Sequence, residues 1–248
     1  MLVEGHYTDL QNYMRFQTNS YHSHDIISDI IELLNNYLNK KHRRSFENIN
    51  QSFETLTEYI QGPCYENQIA LTQGSFLDIA SDLLAFDEHK FDIEKKVKNA
   101  IHDEENELMP IWMISNIKFK CSITLVSLIE GRKDNQIILR MLKSFHLEVL
   151  KRNFVDVFRL HKKLYNEKYV KDCFKHYLLR PKDENDEEIN NENFSFIIEC
   201  GFNLYILYSN FLEVQSEDNT GILFLSELKL EKIHGFLRNQ YSRNNRSR

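Results

Sequence analysis

Glycine and proline are scarce in this chain, with seven and three in 248 residues. An all-β fold needs frequent turns, so their scarcity argues against sandwiches and barrels and favours long helices. Cysteine is sparse too: Cys64, Cys121, Cys173 and Cys200 lie far apart, with no CxxC pair and no histidine at zinc-finger spacing. They read as reduced thiols in the helix cores of a cytosolic chain. An excess of positive charge is missing, since the formal net charge is −6. That leaves no basic footprint for nucleic acid. The first twenty residues contain no apolar run of the kind a secretory signal needs. The densest apolar stretch, Phe194 to Val214, is broken by Glu199, Asn203, Asn210 and Glu213. A span needs ~20 mostly apolar residues, so a buried soluble helix is the better reading. Catalytic signatures are absent as well. There is no Walker loop, dinucleotide fingerprint or GxSxG elbow, and none of the ten histidines sits at a nucleophile or metal spacing. Absence of a motif is weak evidence by itself against an enzyme.

What is present is helical patterning, in a chain long enough for one large domain or two small ones. Ile26, Ile27, Ile30, Ile31, Leu34, Tyr37 and Leu38 form an apolar stripe, with His24 and Asp25 in the opening turn. Lys40-Lys41-His42-Arg43-Arg44 follows. It reads as a solvated helix end in preference to an anion or lipid-headgroup patch. Phe46, Ile49, Phe53, Leu56, Tyr59 and Ile60 repeat at intervals of three and four. Gly62-Pro63 stops that helix, because proline lacks an amide donor and biases its predecessor away from the α region. Pro63 then suits the first turn of a short helix through Leu71. Ser75 is placed to cap a helix whose Phe76, Ile79, Ala80, Leu83 and Leu84 face inward.

Residues 87 to 109 read as a charged connector, with a helix around Ile93 to Ile101. Helices are expected over Ile111 to Ile129 (closed by Gly131), Ile137 to Phe145, Phe154 to Leu164 and Tyr169 to Leu179. Ile222 to Leu230 fits a strand or a helix, and the Asn/Arg/Ser-rich tail from Asn239 reads as disordered. Asp183 to Ile189 offers oxygen side chains at three calcium-loop positions. Glu188 stands where the loop needs glycine and Phe194 where it needs glutamate, so an acidic loop is the better reading. No clean internal repeat is visible, and periodicity alone leaves a bundle and a solenoid equally open.

The motifs decide between them. Glu54-Thr55-Leu56-Thr57-Glu58-Tyr59-Ile60-Gln61-Gly62-Pro63-Cys64, followed by Glu66-Asn67-Gln68, resembles a segment of the inositol 1,4,5-trisphosphate receptor and ryanodine receptor family of intracellular calcium-release channels. Leu56 to Cys64 is similar to the ryanodine-receptor version; Glu54-Thr55 and Glu66 to Gln68 are similar to the other. Asp9-Leu10-Gln11-Asn12-Tyr13 with Arg15 and Gln17, Ser127-Leu128-Ile129-Glu130-Gly131 with Ile138 to Met141, and Gly201-Phe202-Asn203 with Ile206 to Asn210 resemble further blocks in the family's order. The resemblance implies an all-α, armadillo- or HEAT-like α-solenoid of antiparallel helix pairs. It divides the chain into a receptor-homology-associated domain over 4–131, a continuing helical region over 132–213 and an uncertain segment over 214–248.

It also implies a site. In the resembled channels, one glutamate before the His-x-x-Asp-x-Gln-Asn block and one inside the LTEY block ligate the activating calcium ion, and a carbonyl from a C-terminal domain completes the set. Those positions match Glu4 and Glu58 here, with His6 and Gln61 as supporting residues. The implied function is not that of an enzyme but of a cytosolic regulatory segment that couples ligand and calcium binding to a pore not in this chain. Its partners would be other channel domains and subunits in a tetramer, on the cytoplasmic face of the endoplasmic reticulum membrane. The alternative is a soluble helical scaffold or interaction protein derived from that regulatory domain.

Overall fold

The computed structural model describes residues 5–17, 20–40, 43–86, 111–164 and 195–216. Among these, all regular structure is helical. The elements are α1 (Thr8–Arg15), α2 (Ile26–Lys40), a 3-10 turn at Arg43–Ser45, α3 (Phe46–Ile60), α4 (Tyr65–Gln73), α5 (Phe76–Ala85), α6 (Ile111–Ile129), α7 (Gln136–Ser144), α8 (Leu147–Leu164) and α9 (Ser195–Ser216). The chain forms two compact units, Met1–Val149 and Leu150–Arg248.

In the first unit, helices pack in pairs, as in an α-solenoid. α3 is the centre, lying between α2 and α6. Its Ile49, Phe53, Leu56 and Ile60 are fully buried and fall one helical turn or so apart, so a single face carries the contact. α6 is buried around most of its circumference, through Met113, Ile114, Ile117, Phe119, Cys121, Leu125 and Leu128. The α3–α6 seam also holds a buried hydroxyl pair, in which Thr57 Oγ1 and Thr124 Oγ1 share a 2.8 Å hydrogen bond. At its rim, Lys120 Nζ pairs with Glu54 Oε1 at 2.7 Å. α1 packs on α2 and α4, while α4 and α5 both meet α7.

Local chemistry sets most of the ends. Asp25 caps α2, its Oδ1 accepting from the Ile27 amide at 3.1 Å and the Ser28 amide at 3.3 Å. Ser75 stands at the start of α5 without making a side-chain cap bond, so the expected cap is only positional. The short helix after the Gly-Pro stop begins at Tyr65, with Pro63 left in the turn before it. α5 touches α3 through the edge-to-face pair Phe53–Phe76, centroids 6.4 Å apart, and packs mainly on α4, α6 and α7. In the second unit, Phe154 of α8 meets Tyr205 of α9, with centroids 6.5 Å apart. α9 buries Cys200, Leu204, Leu207, Tyr208, Phe211 and Leu212. No described helix is long and apolar enough to cross a membrane.

The expected helices at 93–101 and 169–179, the acidic loop at 183–189, the strand-or-helix at 222–230 and the tail from Asn239 lie outside the described residues, as does Cys173. Cys64, Cys121 and Cys200 are buried and form no disulfide among the described residues.

With Leu56 fully buried and Tyr59 nearly so, Leu56→Ala and Tyr59→Ala should each lower unfolding free energy by ~2–5 kcal/mol in a urea titration. A loss below ~0.5 kcal/mol for both would mean that this face of α3 is not a packed seam.

Candidate functional site

The last turn of a helix leaves carbonyls with no partner inside the helix. In the first unit the ends of α3 and α6 meet one another, and side-chain amides supply the missing donors. Gln11, fully buried on α1, donates from Nε2 to the carbonyls of Glu58 at 2.6 Å and Gln61 at 2.9 Å. Asn67 on α4, also fully buried, donates from Nδ2 to the carbonyls of Tyr59 and Gln11, both at 3.0 Å. Gln68, its neighbour, donates from Nε2 to Ser127 O at 2.9 Å and Glu130 O at 3.1 Å at the end of α6. Gln61 closes the circuit by donating from Nε2 to Ser127 Oγ at 3.2 Å.

Outer contacts brace this network. Arg15 donates to Asn67 Oδ1 at 2.7 Å and pairs with Glu66 at 3.0 Å. Tyr65 OH donates to Gly131 O at 2.8 Å. The Arg132 guanidinium lies 5.6 Å from the Tyr65 ring centroid and bonds Asp134 at 2.8 Å. That hydrogen bond, helped by the Gln136 amide, holds the Asp134 carboxyl below the usual carboxylate range. Cys64 Sγ donates to Asn12 Oδ1 at 3.4 Å, and burial pushes this thiol above its ordinary pKa. Gln17 organises the loop after α1, bonding the carbonyls of Tyr13 and His24 and accepting from the His24 amide.

Two glycines make the convergence possible. Gly62 has φ of +103°, and a Cβ there would lie 2.4 Å from His6 Cβ. Gly131 has φ of +69°, and a Cβ there would lie 2.4 Å from Pro63 Cγ. Either position therefore needs glycine twice over, for its backbone conformation and for the space.

Of the four site residues expected from the sequence, Glu58, Gln61 and His6 lie at this junction. Glu58 and Gln61 stand on the last turn of α3 and the residue after it, their carbonyls bridged by Gln11. His6 is exposed, with φ of +57°, and its side chain lies directly against Gly62. Glu4 lies outside the described residues. Glu58 is half-buried, and its Oε2 is fully buried without a hydrogen-bond partner; Gln11 Oε1 is buried and unpartnered too. Buried oxygens without donors are places where a cation or a water fits. Hard oxygen donors of this kind suit calcium, which takes about six to eight of them. Among the described residues no group of three or more His, Cys, Asp or Glu could hold a metal ion. The described residues therefore provide no complete metal site.

The residues that build the junction, Gln11, Asn67, Gln68 and Ser127, carry no role in a reading based on apolar spacing. All four lie inside the motif blocks quoted above, and that resemblance was their one signal in the sequence.

Residues 1–84 match the family model described as "RyR and IP3R Homology associated". Inositol 1,4,5-trisphosphate receptor itr-1 of Caenorhabditis elegans is 27% identical over 155 residues, which cover 58% of this chain and 5% of that protein. The chain thus spans about one-twentieth of the curated relative it matches. Within the receptor-homology-associated region, the network joins the Gln11 block to the Leu56–Cys64 block and the Asn67-Gln68 pair. It then continues past residue 84 to Ser127, Glu130 and Gly131.

Gly131→Ala should destabilise by ~2–4 kcal/mol, the sum of a left-handed backbone penalty and overpacking against Pro63. Adding Pro63→Ala removes the nearest atom, so the double variant should lose less than the sum of the singles by ~1 kcal/mol or more. Additive losses in denaturant titrations would show that the close approach is not what requires glycine.

Proposed function

We propose that this chain is the regulatory helical segment of an intracellular calcium-release channel. In this reading it does no chemistry of its own, and it couples calcium binding at the α1–α3 junction to movement of a pore that lies in other residues. The observation carrying this reading is the convergence of the family-like blocks. The Gln11, Glu58–Gln61, Asn67-Gln68 and Ser127–Gly131 segments meet in one hydrogen-bonded junction, with an unpartnered carboxylate oxygen on Glu58 at its edge.

Glu58 and Glu4 would hold the ion, with His6 and Gln61 beside them. Two bidentate carboxylates supply at most four oxygens, so waters and a carbonyl from another domain must provide the remainder of about six to eight. The isolated chain should therefore bind calcium weakly. The segment's partners would be other domains and subunits of a tetrameric channel, at the cytoplasmic face of the endoplasmic reticulum membrane. The name of the worm relative, an inositol trisphosphate receptor, agrees with this assignment.

Glu58→Gln keeps the shape and removes the charge. In a channel containing this segment it should move the calcium midpoint for activation upward by roughly ten- to a hundredfold, the equivalent of losing one charged contact of ~1.5–3 kcal/mol. The midpoint is read from calcium flux or single-channel opening. A midpoint that stays in place would remove Glu58 from the ligand set.

A further inference from the structure

Gln11 connects α1 to α3 in a way no other described side chain of α1 repeats. Asn12 and Arg15 reach α4, through Cys64, Asn67 and Glu66. Gln11 Nε2 alone spans two carbonyls of α3 and its following residue, Glu58 O and Gln61 O. Those carbonyls belong to Glu58, whose carboxylate is the candidate ligand, and to Gln61, which follows the same helix turn. An amide bridging both must sit in one register along α3, because a shift of either carbonyl by more than a few tenths of an ångström breaks a bond. The His6 turn precedes α1 directly and rests on Gly62, so its place follows from the same register.

We propose that Gln11 is a positioning residue for cation binding: it clamps α1 and the His6 turn onto the end of α3 beside the Glu58 carboxylate. The proposal rests on the reading of Glu58 as a calcium ligand. Calcium–oxygen distances fall in a window of about 2.3–2.6 Å, so an α1 free to shift on α3 would spend most of its time outside a binding geometry. Apparent affinity falls in proportion to the competent fraction.

Methionine at position 11 keeps the length and apolar volume and removes both donors. The test uses the full 248-residue chain and terbium(III) alone, an oxygen-seeking trivalent stand-in for calcium that is read by tyrosine-sensitised luminescence and displaced by calcium. Amide hydrogen exchange over residues 5–17 is followed in parallel. If undocking leaves α1 in place a tenth of the time, Gln11→Met should weaken terbium binding about tenfold. Exchange in α1 should speed up toward that of an unprotected segment, because it follows the undocked fraction, with α3 and α6 unchanged. Gln11→Asn, whose amide is one methylene too short to bridge, should fall between the two.

Thr124→Val is the control for a general loss of stability. It removes a buried hydroxyl between α3 and α6, and should loosen those helices while leaving terbium affinity near that of the wild type. The proposal is overturned if the Gln11 variants leave α1 exchange unchanged, or if they loosen α1 without weakening terbium binding while Glu58→Gln does weaken it. It is overturned together with the calcium reading if the wild-type chain binds no terbium, or if Glu58→Gln binds it as well as the wild type.

Discussion

Helix ends that meet away from water must find donors for their last carbonyls, and the rest of the first unit depends on how that is done. The ends of α3 and α6 converge. The carbonyls of Glu58, Tyr59, Gln61, Ser127 and Glu130 accept bonds from three amide side chains. A hydrogen bond of this kind contributes only about 1 kcal/mol net, but a buried carbonyl deprived of its donor costs ~1–3 kcal/mol. Several such groups share each amide, so the network is fully made or badly broken, with little between.

Apolar packing cannot supply the same information. The face of Ile49, Phe53, Leu56 and Ile60 holds α3 against its neighbours, but hydrophobic burial is non-directional and tolerates sliding. Directional bonds from Gln11, Asn67 and Gln68 fix where each helix stops relative to the others. The glycines serve that geometry. The His6 and Pro63 side chains occupy the space a Cβ on Gly62 or Gly131 would need, so these segments approach more closely than any other residue there would allow.

Sequence spacing located the helices that have one clean apolar face and a chemical stop. α3 ends at Ile60 before Gly62-Pro63, and α6 spans the expected Ile111 to Ile129 with Gly131 beyond it. α8 begins at Leu147, seven residues before the expected Phe154. Glu148, Lys151 and Arg152 interrupt the stripe that Leu147, Leu150 and Phe154 make. Ser75 shows that an N-cap residue type is no guarantee of a cap bond. Periodicity misses the junction for a physical reason: it counts glutamine and asparagine as surface residues, whereas Gln11, Asn67 and Gln68 are completely buried. Only the motif resemblance marked them, and it marked Glu58 the same way. Glu4 falls outside the described residues, so geometry bears on Glu58, His6 and Gln61 alone.

Gln61 shows how such a junction would carry a signal if the calcium reading holds. Its side chain turns away toward α6 and donates to Ser127 Oγ at 3.2 Å, while its carbonyl stays on Gln11. A cation drawing on Glu58 pulls on the turn that Gln61 terminates. That turn is bonded to α1 through Gln11 and to α6 through Ser127, and Gln68 bonds the same serine's carbonyl from α4. Movement at the ion would therefore be shared among four helices. The bond network supplies continuity, and the energy has to come from elsewhere. An ion shifts the arrangement only by the difference in its affinity for two states. The described residues provide too few oxygens to satisfy calcium, so in this reading that difference comes from ligands beyond them, a carbonyl from another domain included. A segment that binds poorly alone and well when that domain approaches is the arrangement in which calcium does the most to favour one conformation.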